Sequence, residues 1–132
     1  MKFERFEDIV SWQKGKELAL FALPKAQSIR DFSFRDQFSR AVLSIMNNIA
    51  EGFERSSNKE FKYFLFVAKG SAAEVRSMLV VAESMHHLSR EDCKRCHELC
   101  LEISKTLSGL ITYLRGFEEQ LERVDEATLR TL

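Results

Sequence analysis

Residues 89–121 read SREDCKRCHELCLEISKTLSGLITYLRGFEEQL, and this stretch decides the fold. Cys93, Cys96, Cys100, Ile103, Leu107, Leu110, Leu114, Phe117 and Leu121 recur at steps of 3 and 4. A strand would alternate with period 2. Steps of 3 and 4 instead keep one apolar stripe along one side of a helix, here for about four heptads, which is the seam pattern of coiled-coil-like packing. Ser89, with Asp92 three residues on, supplies a hydroxyl able to cap the start.

Working back towards the N-terminus, the same grammar recurs. Ser57 and Glu60 form an S-x-x-E capping box ahead of Phe61, Leu65, Ala68, Ala72, Val75, Leu79 and Ala82, again at steps of 4 and 3. Ser33 with Asp36 resembles another box, opening a helix with Phe38, Val42, Ile45 and Ile49 inward. Gly52 is expected to end that helix in a left-handed cap, with Phe53 folding back on the last turn. Asp8 is expected to cap a first helix whose stripe is Trp12, Gly15, Ala19, Ala22, Ala26 and Ile29. Leu18, Phe21 and Leu23 lie partly off that stripe. Pro24 lacks a backbone donor and crowds the preceding turn, so a kink or early stop is expected there. The spacing predicts four helices at roughly 9–29, 34–52, 58–86 and 90–121 in a single domain over 1–132. Four amphipathic helices with short links make an all-α, antiparallel up-and-down four-helix bundle.

Composition agrees. One proline and five glycines in 132 residues leave little room for the turns of an all-β fold. Twenty basic residues balance twenty acidic ones, so the electrostatic footprint of a strong nucleic-acid binder is missing. No run reaches the ~18 apolar residues of a membrane span, and the start MKFERFEDIV does not read as a signal peptide. Three cysteines do not make a disulfide framework. A cytoplasmic protein with no membrane contact is the expectation.

The most tempting chemistry is CKRCHELC, residues 93–100. As C-x-x-C-H it matches a haem attachment site, an assembly that belongs outside the cytoplasm. As a metal cluster, Cys93, Cys96, His97 and Cys100 follow one side of one helix, where four ligands converge poorly on a tetrahedral ion. The three thiols also occupy the apolar seam, so core packing is the better reading. Glu83 and His86 give half of an E-x-x-H carboxylate site, but the other two histidines lack a glutamate three residues earlier. No nucleophile elbow, phosphate-binding loop or zinc-protease motif is present. No catalytic residue, metal or cofactor is therefore expected. What remains is a set of small and polar residues in helical segments: Asn48, Glu51, Gly52, Gly70, Ser71 and Glu74. Gly70 inside a helix costs ~1 kcal/mol against Ala, which suggests close approach by another backbone. Tight packing with a buried hydrogen-bonded network is favoured over a pocket lined by the two carboxylates.

These residues also carry a family likeness. Ser44 to Arg55, S-I-M-N-N-I-A-E-G-F-E-R, resembles the S-I-P-S-N-I-A-E-G-F-x-R signature of the four-helix-bundle proteins also called the 23S ribosomal RNA intervening-sequence protein family. Trp12-Gln13-Lys14 matches its V-W-Q-K opening, and Lys59 to Glu74 matches its K-E-F-x-x-F-L-x-x-A-x-G-S-x-A-E run. Met46 and Asn47 depart from the usual Pro-Ser, so helix two should be straighter here. The resemblance implies antiparallel bundles that associate as pentameric rings, with no assigned activity for most members. It also implies a related branch that serves retroelements as a basic ring binding reverse transcriptase and nucleic acid.

The expectation is a non-enzymatic, cytosolic, homo-oligomeric scaffold or binding protein, most simply a pentamer. The alternative is an accessory protein for RNA or reverse transcriptase, with at most weak and salt-dependent nucleic-acid binding. Leu18, Phe21 and Leu23, apolar residues off the first stripe, point to helix one, and to Phe21 in particular, as a contributor to contact between copies, with Trp12 among the family-motif and packing residues. An acidic end at Glu118, Glu119, Glu122, Asp125 and Glu126 gives the chain a polarity that would help copies pack head to tail.

Overall fold

The computed structural model describes residues 3–131, with side chains at all of these except 118–129 and 131. A single 3₁₀ turn over Phe6–Asp8 leads into four helices: α1 (Val10–Ala26), α2 (Phe32–Phe53), α3 (Asn58–Ser84) and α4 (Arg90–Thr131). The links are too short for a crossover, so sequential helices lie antiparallel. Each helix packs on two neighbours in the cycle α1–α2–α3–α4, and among the described residues neither diagonal pair meets. The apolar stripes close on one core, in which Leu18, Phe38, Ile45, Ile49, Leu65, Ile103 and Leu107 are all but inaccessible. No described helix is long and apolar enough to cross a membrane.

The stripes on α3 and α4 are buried as their spacing predicts, through Leu114 on α4. Phe117 is half-exposed, and the side chains of Leu121 and of the acidic run from Glu118 lie outside the described residues. Two caps also follow expectation. Ser57 Oγ accepts from the Glu60 N–H at 3.2 Å, and Ser89 Oγ accepts from the Asp92 N–H at 3.1 Å.

Other boundaries differ, each for a local reason. Asp31, not Ser33, caps α2: its Oδ1 accepts from the Phe34 N–H at 3.1 Å, and Ser33 already lies inside the helix. Asp8 caps nothing. It belongs to the 3₁₀ turn, and α1 follows Ile9, which has no side-chain cap and whose N–H reaches the Phe6 carbonyl at 3.0 Å. α1 ends earlier than expected, at Ala26, two residues after Pro24, whose missing N–H leaves the Leu20 carbonyl without a helical donor. Leu18, read as off the stripe, is wholly buried, whereas Trp12 is only half-buried.

Gly52 gives the clearest correction. No glycine here has a positive φ, so Gly52 forms no left-handed cap, and α2 runs on to Phe53. A Cβ at position 52 would lie 2.6 Å from Phe64 Cβ and 3.2 Å from Phe61 Cδ1. Its function is the close crossing of α2 and α3. The left-handed residue is instead His86, with φ 57° at the end of α3. There His87 N–H bonds the Ala82 carbonyl at 2.8 Å and His86 N–H bonds that of Glu83 at 3.1 Å, the pattern of a Schellman cap.

Candidate interaction surfaces

The motif residues of α2 and α3 meet along one seam. Asn48 donates through Nδ2 to the Ser44 carbonyl at 2.7 Å and to Ser44 Oγ at 2.9 Å. Ser44 Oγ lies 2.8 Å from Ser71 Oγ, which in turn donates to the Val67 carbonyl at 3.2 Å. Small hydroxyls let the two helices approach while each polar atom keeps a partner. Gly52 continues this seam one turn beyond Asn48. Of the six small and polar residues singled out in the sequence, Asn48 and Ser71 enter this part-buried network and Gly52 packs beside it.

Glu51 and Glu74 do not share a pocket. Both are exposed; Glu51 pairs with Arg55 at 2.8 Å, and Glu74 accepts from Gln37 Nε2 at 3.3 Å. Gly70 is exposed as well, and a Cβ there would meet nothing within 4 Å. The backbone approach expected at Gly70 is not found among the described residues. Its outer face of α3 carries Tyr63, Phe66 and Val80, all exposed.

The thiols belong to the core. Cys93, Cys96 and Cys100 are free and buried. Burial raises the Cys93 thiol above its ordinary value and, reinforced by neighbouring thiols, pushes those of Cys96 and Cys100 up to about 12. Such groups stay protonated at neutral pH and are poor nucleophiles or ligands. Among the described residues, no three of His, Cys, Asp and Glu are grouped to hold a metal ion. His86 forms the cap after α3 rather than facing a second carboxylate.

Two concave surfaces are apolar. A groove of about 520 Å³ runs between α1 and α2, lined by Trp12, Lys16, Leu20, Leu23, Leu43 and Met46 among others. Leu20 is 68% exposed. Pro24, near the end of α1, also lines this groove. A second groove, about 410 Å³, lies between Val10 and Ser11 on α1 and Gly109, Leu110 and Tyr113 on α4. Leu20 and Leu43 were missed by the sequence reading, because a groove is a property of two helices in register and neither residue stands out alone. Phe21 does not line the α1/α2 groove; it is half-buried against the core, with Lys25 Nζ 3.8 Å from its ring centroid. Opposite, ion pairs tie α1 to α4, Lys14 to Glu102 at 2.9 Å and Glu17 to Arg95 at 2.8 Å. The hydrogen bond from Lys14 and its charge hold the Glu102 carboxyl below the ordinary range.

The structure is thus an antiparallel four-helix bundle with a small-residue seam, protonated core thiols and open apolar grooves. The chain belongs to the 23S rRNA-intervening sequence protein family, which it matches over residues 7–109. A similar solved structure is a protein of unknown function from the S23 ribosomal protein family of Bacteroides thetaiotaomicron, at 24% identity and a TM-score of 0.74, over 77% of this chain and 98% of that one. At that identity the likeness shows the fold. No curated protein matches the chain. Neither the family description nor the neighbour's names a reaction.

Proposed function

We propose that this protein is a homo-oligomeric scaffold or binding protein rather than an enzyme. The observation that carries this reading is the α1/α2 groove, where Trp12, Leu20, Leu43 and Met46 present an apolar surface that no other part of the described chain covers. An apolar patch of this kind on a bundle marks a contact site, and identical copies are the partner always at hand. Tyr63, Phe66 and Val80 add exposed apolar area on α3. The number five rests on the family resemblance alone. Light scattering at micromolar concentration is expected to give about five times the 15.3 kDa chain mass. A monomeric mass would overturn the reading.

A second reading, an accessory protein for RNA, draws on the face shared by α3 and α4. The Arg115 guanidinium lies 5.3 Å from the centroid of the half-exposed Phe66 ring. A cation beside an exposed ring is the chemistry of single-strand binding. The balanced charge of the chain holds the expected affinity low. Labelled RNA titrated at ~150 mM salt, where screening is near physiological, separates the readings: sub-micromolar affinity would favour the second.

A further inference from the structure

We infer that the C-terminal extension of α4 docks in the α1/α2 groove of a second copy of this chain. The inference rests on the oligomeric reading above and names the segment that makes the contact.

Length comes first. Arg90 and Glu83 pair at 3.7 Å, so α4 begins level with the end of α3. The two helices are 42 and 27 residues long, and α4 therefore outruns α3 by 15 residues, or about 22 Å at the helical rise. The groove runs from Trp12 on α1 to Gln27 just past its end, a span of 15 steps and also about 22 Å. The extension lies outside residues 7–109, the stretch matched to the family.

Pattern and charge agree with length. Phe117, Leu121, Val124 and Thr128 continue the heptad register of Leu110 and Leu114. The sequence stripe thus continues past the length over which α3 runs beside α4. Residues 117–131 carry five acids against two arginines, a net charge of −3. The α1/α2 groove has Lys16 as its charged lining residue and no acid. An acidic amphipathic helix entering an apolar groove with a cation at its rim follows the helix-in-groove mode of recognition. Each chain carries one extension and one groove, so the contact is heterologous and propagates from copy to copy until rotation closes it.

Two full-length variants test this, Leu20→Glu in the groove and Val124→Glu in the extension, with Leu43→Glu as a second groove variant. Both groove leucines are partly exposed, so circular dichroism should show helicity and cooperative melting unchanged. Each variant alone is expected to fall to the mass of one chain. Mixing Leu20→Glu with Val124→Glu is expected to give a dimer, because the first keeps an intact extension and the second an intact groove. Trp12, the one tryptophan, lines the groove and reports occupancy: its emission should shift red in either variant and return blue in the mixture. A Val124→Glu variant that keeps the unmodified mass, or a mixture that stays monomeric, overturns the inference and leaves the oligomeric reading intact. A monomeric unmodified chain would overturn both.

Discussion

Gly52→Ala is expected to destabilise the bundle, and its cost can be worked from the crossing of α2 and α3. The new methyl would sit 2.6 Å from Phe64 Cβ and 3.3 Å from the Phe61 carbonyl oxygen, where ordinary contact begins at 3.4 Å. Relief requires the helices to separate by roughly 1 Å, and neither the Phe64 Cβ nor the Phe61 backbone can swing aside as a side-chain end would. Overpacking of this kind costs about 1–3 kcal/mol. Separation would also carry Ser44 and Ser71, now 2.8 Å apart, towards the limit of hydrogen bonding, worth about 1 kcal/mol. Against this stands the helix preference of Ala over Gly, at most ~1 kcal/mol and less in a last turn. The net is a loss of about 1–3 kcal/mol, or roughly 3–10 °C in Tm for a chain of this size. Gly15→Ala is the control: its methyl would meet Met46 Cβ at 3.2 Å, a deficit of a few tenths of an ångström, so contact and helix preference should nearly cancel. Urea unfolding followed by circular dichroism, at one fixed protein concentration, measures both. A Gly52→Ala variant as stable as the unmodified chain would refute this account of the crossing.

Two further outcomes follow from the same geometry. Cys96 and Cys100 have folded-state values near 12 against 9 when unfolded, so the folded chain retains protons that the unfolded chain releases. Stability is complete below pH 9 and should fall as pH rises from 9 towards 12; urea midpoints across that range, compared with a Cys96→Ala, Cys100→Ala double variant that shows a smaller decline, check the sign. At the start of α2, Asp31→Ala should cost about 1 kcal/mol and Ser33→Ala less than about 0.5 kcal/mol, because only Asp31 caps the helix. Equal melting points for the two would return the cap to Ser33.

The interior was legible because burial obeys a period. Leu65, Ala72, Val75, Leu79 and Ile103 could be placed inside from spacing alone, since a helix that buries one side must repeat every 3 or 4 residues. Caps were half-legible. Ser89 stands alone before its helix and Glu60 singles out Ser57 from Ser56, whereas Asp31 and Ser33 compete within three residues and the backbone decides between them. Gly52 misled because a glycine near a helix end has two uses, a left-handed turn or a close crossing. Only the position of Phe64 on another helix distinguishes them. The same limit hid the α1/α2 groove: Leu20 is one apolar residue on α1 and Leu43 one on α2, and nothing in either segment records that they face a common surface.

Gly70, Gly109 and Gly116 extend that reasoning to the outside of the bundle. All three lie within helices, and a Cβ at any of them would meet nothing within 4 Å. Each costs its helix about 1 kcal/mol relative to Ala. Together that is a sizeable share of the 5–15 kcal/mol by which folded domains are stable. Among the described residues no packed neighbour compensates for it, in contrast with Gly15 and Gly52, where packed neighbours occupy the space a side chain would take. A helix glycine with open space before it gives another backbone room to approach. Gly109 lines the groove between α1 and α4, and Gly70 lies on the exposed face of α3 near Phe66 and Ala73. The sites where the bundle gives up helix stability are thus on its outer surface.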